Sequence, residues 1–207
     1  MSSLGVRVGY NGRMSERPFH HGNLRTVLLD QAELALRTRG VEELSLRELA
    51  REVGVSHGAP RSHFIDRKAL LDALAERGFR TLAAAMRAAA ESHSEYADGL
   101  RAAGHAYLDF AVSNAALLDL MFTAKTDTPP DGLLAAAETL FSTISDVMES
   151  GVPAGFFREA EIGRLTLLMS ATMQGISTFV SAGRVSLAVG DQLIDDAIAL
   201  FLGRALE

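Results

Sequence analysis

From Asn23 onward, apolar residues recur every three or four positions, and no segment sustains the period-two alternation of a strand. This periodicity restricts the chain to an all-α fold, because an amphipathic helix has one apolar face and must bury it against another helix. Leu24, Leu28, Ala32, Ala35 and Leu36 mark a first helix, with Gly40 placed to cap its end. Ser45 opens a second helix, and Glu48 three residues later predicts a reciprocal capping box. Gly54 stops that helix, and Ser56 is expected to cap a very short third helix reaching about Phe64. Pro60 falls past its first turn, where it would distort the helix. Asp66 caps a fourth, longer helix that runs into the Ala-rich stretch 83–90. Further helices are predicted over 98–114, 115–124, 131–150, 159–182 and 189–205, about nine in all.

The 207 residues suffice for a small N-terminal unit and a larger body. Residues 1–18 are rich in Gly and Ser and predict a flexible arm, within which Met14 offers an alternative start. The expected division is a helix-turn-helix unit over 19–65 and a connecting helix plus helical body over 66–207. Charge follows this division. The formal net charge is −6, yet residues 1–80 hold 13 basic and 10 acidic side chains, a net of +3, which leaves −9 for residues 81–207. A mildly basic head on an acidic body fits a nucleic-acid-binding unit carried by a larger scaffold. No apolar stretch is long enough to span a membrane, and the N-terminus lacks the apolar run of a secretory signal. With no Cys in the chain, these features lead us to expect a cytoplasmic protein without thiol chemistry.

The stretch SLRELAREVGVSHGAPRSHF, Ser45 to Phe64, is a capped helix, a Gly turn and a second short helix: a helix-turn-helix pattern. Leu49, Ala50, Val53, Val55 and Phe64 supply its apolar contacts, and His57, Gly58, Ala59, Arg61 and His63 are its expected exposed positions. A short helix of this kind presents its N-terminal residues to base edges in the major groove. Arg61 can hold a phosphate or read a guanine. Ser45, Arg47 and Lys68 flank the motif and suit contacts to the DNA backbone. Catalysis finds little support: there is no Gly-rich phosphate loop, nucleophile elbow or two-His metal motif. No metal or cofactor is expected. The alternative to a DNA-binding regulator is an all-α protein that binds a small molecule without binding DNA.

RPFHHGNLR, the first helix ending in RTRG, the stretch from Ser45 to Phe64 and DRKALLDALAE together resemble TetR-type transcriptional regulators. Among these, the chain is most similar to the subgroup whose N-terminal segment reads close to RPYHHGNLR. The resemblance is strong over residues 17–80. It implies a three-helix DNA-binding domain joined by a fourth helix to an all-α ligand-binding and dimerisation domain. It further implies contacts to the DNA backbone from Ser45, Arg47 and Lys68, and Arg25 is a further candidate DNA-binding residue. Ser56 would sit at the start of the recognition helix, His57, Gly58 and Ala59 would face bases, and His63 and Phe64 would match the aromatic-ended recognition segment. The chain departs from the family in one place: Arg61 stands where a Tyr usually binds phosphate.

AYLDFAVSNAALLDLMF (106–122) resembles a segment of the same subgroup, whose usual companion carries a Trp and a His-Gly pair. Here SATMQGIS (170–177) is the nearest match, with Gln174-Gly175 and no Trp, which implies a remodelled ligand pocket. Tyr107, Phe110, Met121, Phe122, Phe141, Met169, Thr172, Met173 and Gln174 are the candidate pocket residues, as apolar walls with a few polar groups. His105 and Asp109, four apart, are expected to pair on one helix. The last two helices carry apolar stripes, Leu165, Leu168, Met169, Thr172, Ile176 and Phe179 on one and Leu193, Ile194, Ala197, Ile198, Leu200 and Phe201 on the other. They predict a four-helix interface between two copies. The resulting expectation is a homodimeric, ligand-responsive regulator, a repressor in preference to an activator. Its partners would be a palindromic double-stranded DNA operator and a small-molecule effector of unknown identity.

Overall fold

The computed structural model describes residues 24–123 and 129–203. Among them all regular structure is helical. The elements are α1 (Leu24–Arg39), α2 (Leu46–Val53), a 3-10 turn (Ala59–Ser62), α3 (Arg67–Glu91), α4 (Tyr96–Ser113), α5 (Ala115–Thr123), α6 (Asp131–Glu149), α7 (Ile162–Ser181) and α8 (Leu187–Phe201). A second 3-10 turn, Glu159–Glu161, leads into α7. The expected arm over 1–18 and the predicted helix ends at 124 and 205 lie outside the described residues.

The all-α expectation holds, with eight α-helices in place of about nine. The difference is the third predicted helix, which is a 3-10 turn of four residues. Pro60 has no N–H to give to an α-helical ladder, so bonds three residues apart close the segment instead: Ala59 N–H to Ser56 C=O at 3.0 Å, Arg61 to Gly58 at 3.1 Å and His63 to Pro60 at 3.0 Å. Pro60 lies at the start of the turn and is buried, and Gly58 takes the N-cap position expected of Ser56.

The capping box is half formed. Ser45 Oγ accepts from Glu48 N–H at 3.2 Å, but the Glu48 carboxylate turns to Arg51 at 2.8 Å instead of reaching back. Gly54 ends α2 at φ +77°, a left-handed conformation that Gly adopts without steric cost. Asp66 Oδ1 accepts from Ala69 N–H at 2.8 Å and opens α3 as expected.

One continuous apolar core runs from the head, through Leu28, Leu49 and Phe64, to Ile194 and Ile198 of α8. α3 is its spine, packing on α1 in the head and on α4, α5 and α6 in the body. Arg67, the first residue of α3, donates from Nε to the Leu44 carbonyl at 2.9 Å and from Nη2 to the Val41 carbonyl, which ties the connecting helix to the loop before the helix-turn-helix. Arg39 and Glu52 join α1 to α2 at 2.6 Å. At Gly78 of α3 an added Cβ would stand 2.6 Å from Met121 Sδ of α5, so these helices approach as closely as they do because no side chain intervenes.

Candidate functional site

The helix-turn-helix is assembled by two turns of opposite demand. After Gly54 the Val55 N–H returns to Ala50 C=O at 2.9 Å, which folds the chain across small, fully buried Ala50. Phe64, 2% exposed, anchors the far end of the 3-10 turn in the head's core. Between these anchors Ser56, His57, Gly58, Arg61 and His63 are exposed and Ala59 is half-buried. Arg47, His57, Arg61 and His63 have no carboxylate partner among the described residues, so their polar atoms are free for an external anion or base edge. A Cβ on Gly58 would meet nothing within 4 Å, which leaves this stretch of backbone open to close approach from outside.

The flanking positions differ. Arg25 is exposed, and its guanidinium carbon lies 5.4 Å from the centroid of the Phe64 ring, a cation–π contact. Ser45 is half-buried, with its hydroxyl oxygen engaged at the cap of α2. Lys68 Nζ lies 2.7 Å from Asp72, so a phosphate there competes with a carboxylate already in place.

The body holds a cavity of about 960 Å³ between α3, α4, α5, α6 and α7. Of the predicted pocket residues, Tyr107, Phe122, Phe141 and Gln174 line it. Phe110, Met121, Met169 and Met173 are buried in the general core, and the Thr172 hydroxyl donates to the Leu168 carbonyl at 2.8 Å, away from the lining. Phe79, Leu140, Ile144, Ser145 and Ser170 line the cavity unforeseen. Phe79 lies outside the segments that carried the resemblance in the body, and only the packing of α3 against α5, with the Phe79 and Phe122 rings edge-to-face at 5.5 Å, brings it there.

Inside the cavity the Tyr107 hydroxyl donates to Gln174 Oε1 at 2.5 Å, joining α4 to α7. Burial pushes the Tyr107 ionisation well above its usual range, so this group is a donor and not a charge. The expected His105–Asp109 pair does not form. Packing of α4 on α8 sets His105 Nε2 3.0 Å from Asp195 and Nδ1 3.3 Å from Asp191, while Asp109 is exposed. These cross-helix carboxylates displace a local pair that offers little by itself.

The two terminal helices divide their predicted stripes. Met169 and Met173 of α7 and Ile194 and Ile198 of α8 point into the core. Leu168 and Phe179 of α7 and Leu200 of α8 remain exposed as large apolar side chains, joined by Leu167, Leu187 and Val189, which lie outside the predicted stripes.

A family model described as bacterial regulatory proteins of the tetR family matches residues 28–74, and a tetracyclin repressor-like C-terminal domain model matches residues 100–201. The chain belongs to the TetR family. TetR-family regulators bind DNA, and this chain has the fold of a DNA-binding transcriptional regulator, with its helix-turn-helix at the N-terminal end. Regulators of this family are in general non-enzymatic. A solved protein of unknown function from Rhodococcus sp. RHA1 is 38% identical over 93% of this chain and all of its own, with a TM-score of 0.83. A tetR-family bacterial regulatory protein from Rhodococcus RHA1 shares the fold at 20% identity and TM-score 0.64, covering 86% of this chain and 95% of its own. So does the ketosteroid transcriptional regulator KstR2 of Mycobacterium tuberculosis, at 18% and 0.61, covering 87% and 93%. No curated protein matches the chain. No described helix is long and apolar enough to cross a membrane.

Proposed function

We propose that this TetR-family protein is a homodimeric cytoplasmic repressor that binds a palindromic double-stranded DNA operator and releases it when a small molecule enters the body's cavity. In this reading residues 19–65 form the DNA-binding head and residues 66–207 the connecting helix and effector body. The observation that carries it is the course of α3. This helix starts at Arg67, directly behind the recognition segment, and brings Phe79 into the cavity wall three turns later.

Arg25, Ser45, Arg47 and Lys68 position the head on phosphates, while Ser56, His57, Gly58, Ala59, Arg61 and His63 face the groove. The recognition turn is too short to read many bases, so a second copy is required. Two heads engage half-sites one helical turn apart, about 34 Å. The exposed apolar faces of α7 and α8 support the pairing, since monomers rarely leave such faces uncovered. A ligand that presses on Phe79 and Phe122 acts on α3 and α5, both of which pack on α1 of the head. It releases DNA only insofar as it binds the released spacing of the heads more tightly than the bound one.

The test is fluorescence anisotropy of the full chain on labelled DNA from upstream of its own gene, over a series of salt concentrations. Tight binding whose affinity falls steeply with salt, and exceeds that for unrelated DNA, is expected. Affinity equal to that for unrelated DNA at every salt concentration would refute the operator.

A further inference from the structure

We infer that the cavity takes an amphipathic aromatic cation, with its rings among the cavity's aromatic side chains and its positive group against Glu138. This rests on reading the cavity as the effector site. The lining is aromatic on four sides: Phe79 from α3, Tyr107 from α4, Phe122 from α5 and Phe141 from α6. Phe122 and Phe141 are 51% and 46% exposed, so about half of each side chain stays accessible to an incoming group, even with Phe122 edge-to-face against Phe79. A π face carries partial negative charge and attracts a cation.

The charged lining residues all have one sign. Glu138 and Asp146 line the cavity, and among the described residues no Lys, Arg or His does. Asp146 is offset by Arg87, whose Nη2 stands 3.6 Å away and also donates to Thr143 Oγ1 at 2.9 Å. Glu138 has no cationic partner among the described residues, and it sits one helical turn before Phe141 on the same face of α6. A positive group beside Phe141 therefore meets a carboxylate and a ring together. An organic anion meets the unpaired Glu138 carboxylate and, among the described lining residues, no cation. The other polar groups it meets there include the Tyr107 hydroxyl, the Gln174 amide and serines such as Ser145 and Ser170. The net −9 of residues 81–207 acts in the same direction at longer range, concentrating cations around the body. The volume of about 960 Å³ accommodates a ligand of several rings.

The test titrates the full chain by calorimetry with two ions of nearly one shape, the tetraphenylphosphonium cation and the tetraphenylborate anion, and with the smaller neutral triphenylphosphine oxide. The cation is expected to bind about tenfold more tightly than the anion or better, and Glu138→Gln to remove about tenfold from the cation alone. Glu138 is exposed, so this variant keeps the fold. Phe141→Ala is expected to weaken both the cation and the neutral probe. Equal or tighter binding of the borate, or a Glu138→Gln variant that binds the phosphonium as the parent does, overturns the inference while Phe141-dependent binding keeps the effector cavity. If none of the three probes binds, the cavity reading falls and this inference falls with it.

Discussion

Gly104 of α4 and Ile194 of α8 approach so closely that a Cβ on Gly104 would stand 2.9 Å from Ile194 Cγ2 and 3.0 Å from Ile198 Cδ1. Both isoleucines are fully buried, so neither can swing aside. Gly104→Ala is therefore an overpacking substitution, expected to cost about 1–3 kcal/mol. Urea unfolding measures it, and a midpoint equal to the parent's would show that α8 sits more loosely than the distances indicate.

With the inner face of α8 fixed in this way, its outer face and that of α7 are left for a second copy. Leu168→Glu and Phe179→Glu place charge on side chains already half exposed within the subunit, so they cost little there. Burying the same charge in a two-fold interface is expensive. Light scattering on the eluting protein is expected to give a dimer for the parent and a monomer with unchanged helicity for the double variant. A double variant that stays dimeric would place the interface elsewhere.

Arg61 is exposed and unpaired, so its loss does not touch the head's packing. Arg61→Ala is expected to weaken operator binding by about 1–3 kcal/mol if it reads a base. If it holds a phosphate, binding weakens evenly across sequences and the salt slope falls by about one. Unchanged anisotropy curves would remove Arg61 from the interface.

Glu52 links α2 to α1 through Arg39 at 2.6 Å and Gln31 at 3.0 Å. Its carboxyl is held below the usual range, first by the Arg39 hydrogen bond, against a smaller opposing cost of desolvation. A depressed carboxyl contributes stability that is present above its unfolded pKa and is lost as pH falls through the folded one. Glu52→Gln is accordingly expected to destabilise the head near neutrality, by less than about 1 kcal/mol for so exposed a pair, and to flatten the loss of stability on acidification. Thermal melts from neutral to strongly acidic pH compare the two. Parallel curves would mean that the pair contributes nothing to the head.

Tyr107→Phe removes the donor to Gln174 Oε1 and leaves that oxygen within the cavity wall. The expected cost is about 1–3 kcal/mol where water cannot reach the oxygen and less where it can. Gln174→Leu in the same chain restores an apolar match, so the double variant should melt above the single one. If it melts lower, the two residues are not coupled.

The elements of this chain were largely legible in its sequence, because helices announce themselves through local spacing and through end residues that act locally. Ser45, Gly54 and Asp66 cap or stop helices where the sequence places them, since each satisfies or releases backbone groups within four residues. Local end signals do not decide Ser56–Phe64. There the missing N–H of Pro60 turns a short α-helix into a 3-10 turn, and Gly58 takes the cap expected of Ser56. Nor do they decide Glu48, where Arg51 competes for the carboxylate.

By itself, then, the sequence determined an all-α chain with a mildly basic helix-turn-helix head and an acidic apolar body. Only the tertiary structure decided what depends on which helices meet. His105 turned to Asp191 and Asp195 because α8 crosses α4. The cavity drew Phe79 from the connecting helix and released Met169 and Met173 to the core. On α7 and α8, helical periodicity identified apolar positions but not which of them would face inward, because an apolar stripe looks the same whether the helix that covers it belongs to its own chain or to another. The packing of α7 and α8 against α4 divided those positions into a buried face and an uncovered one.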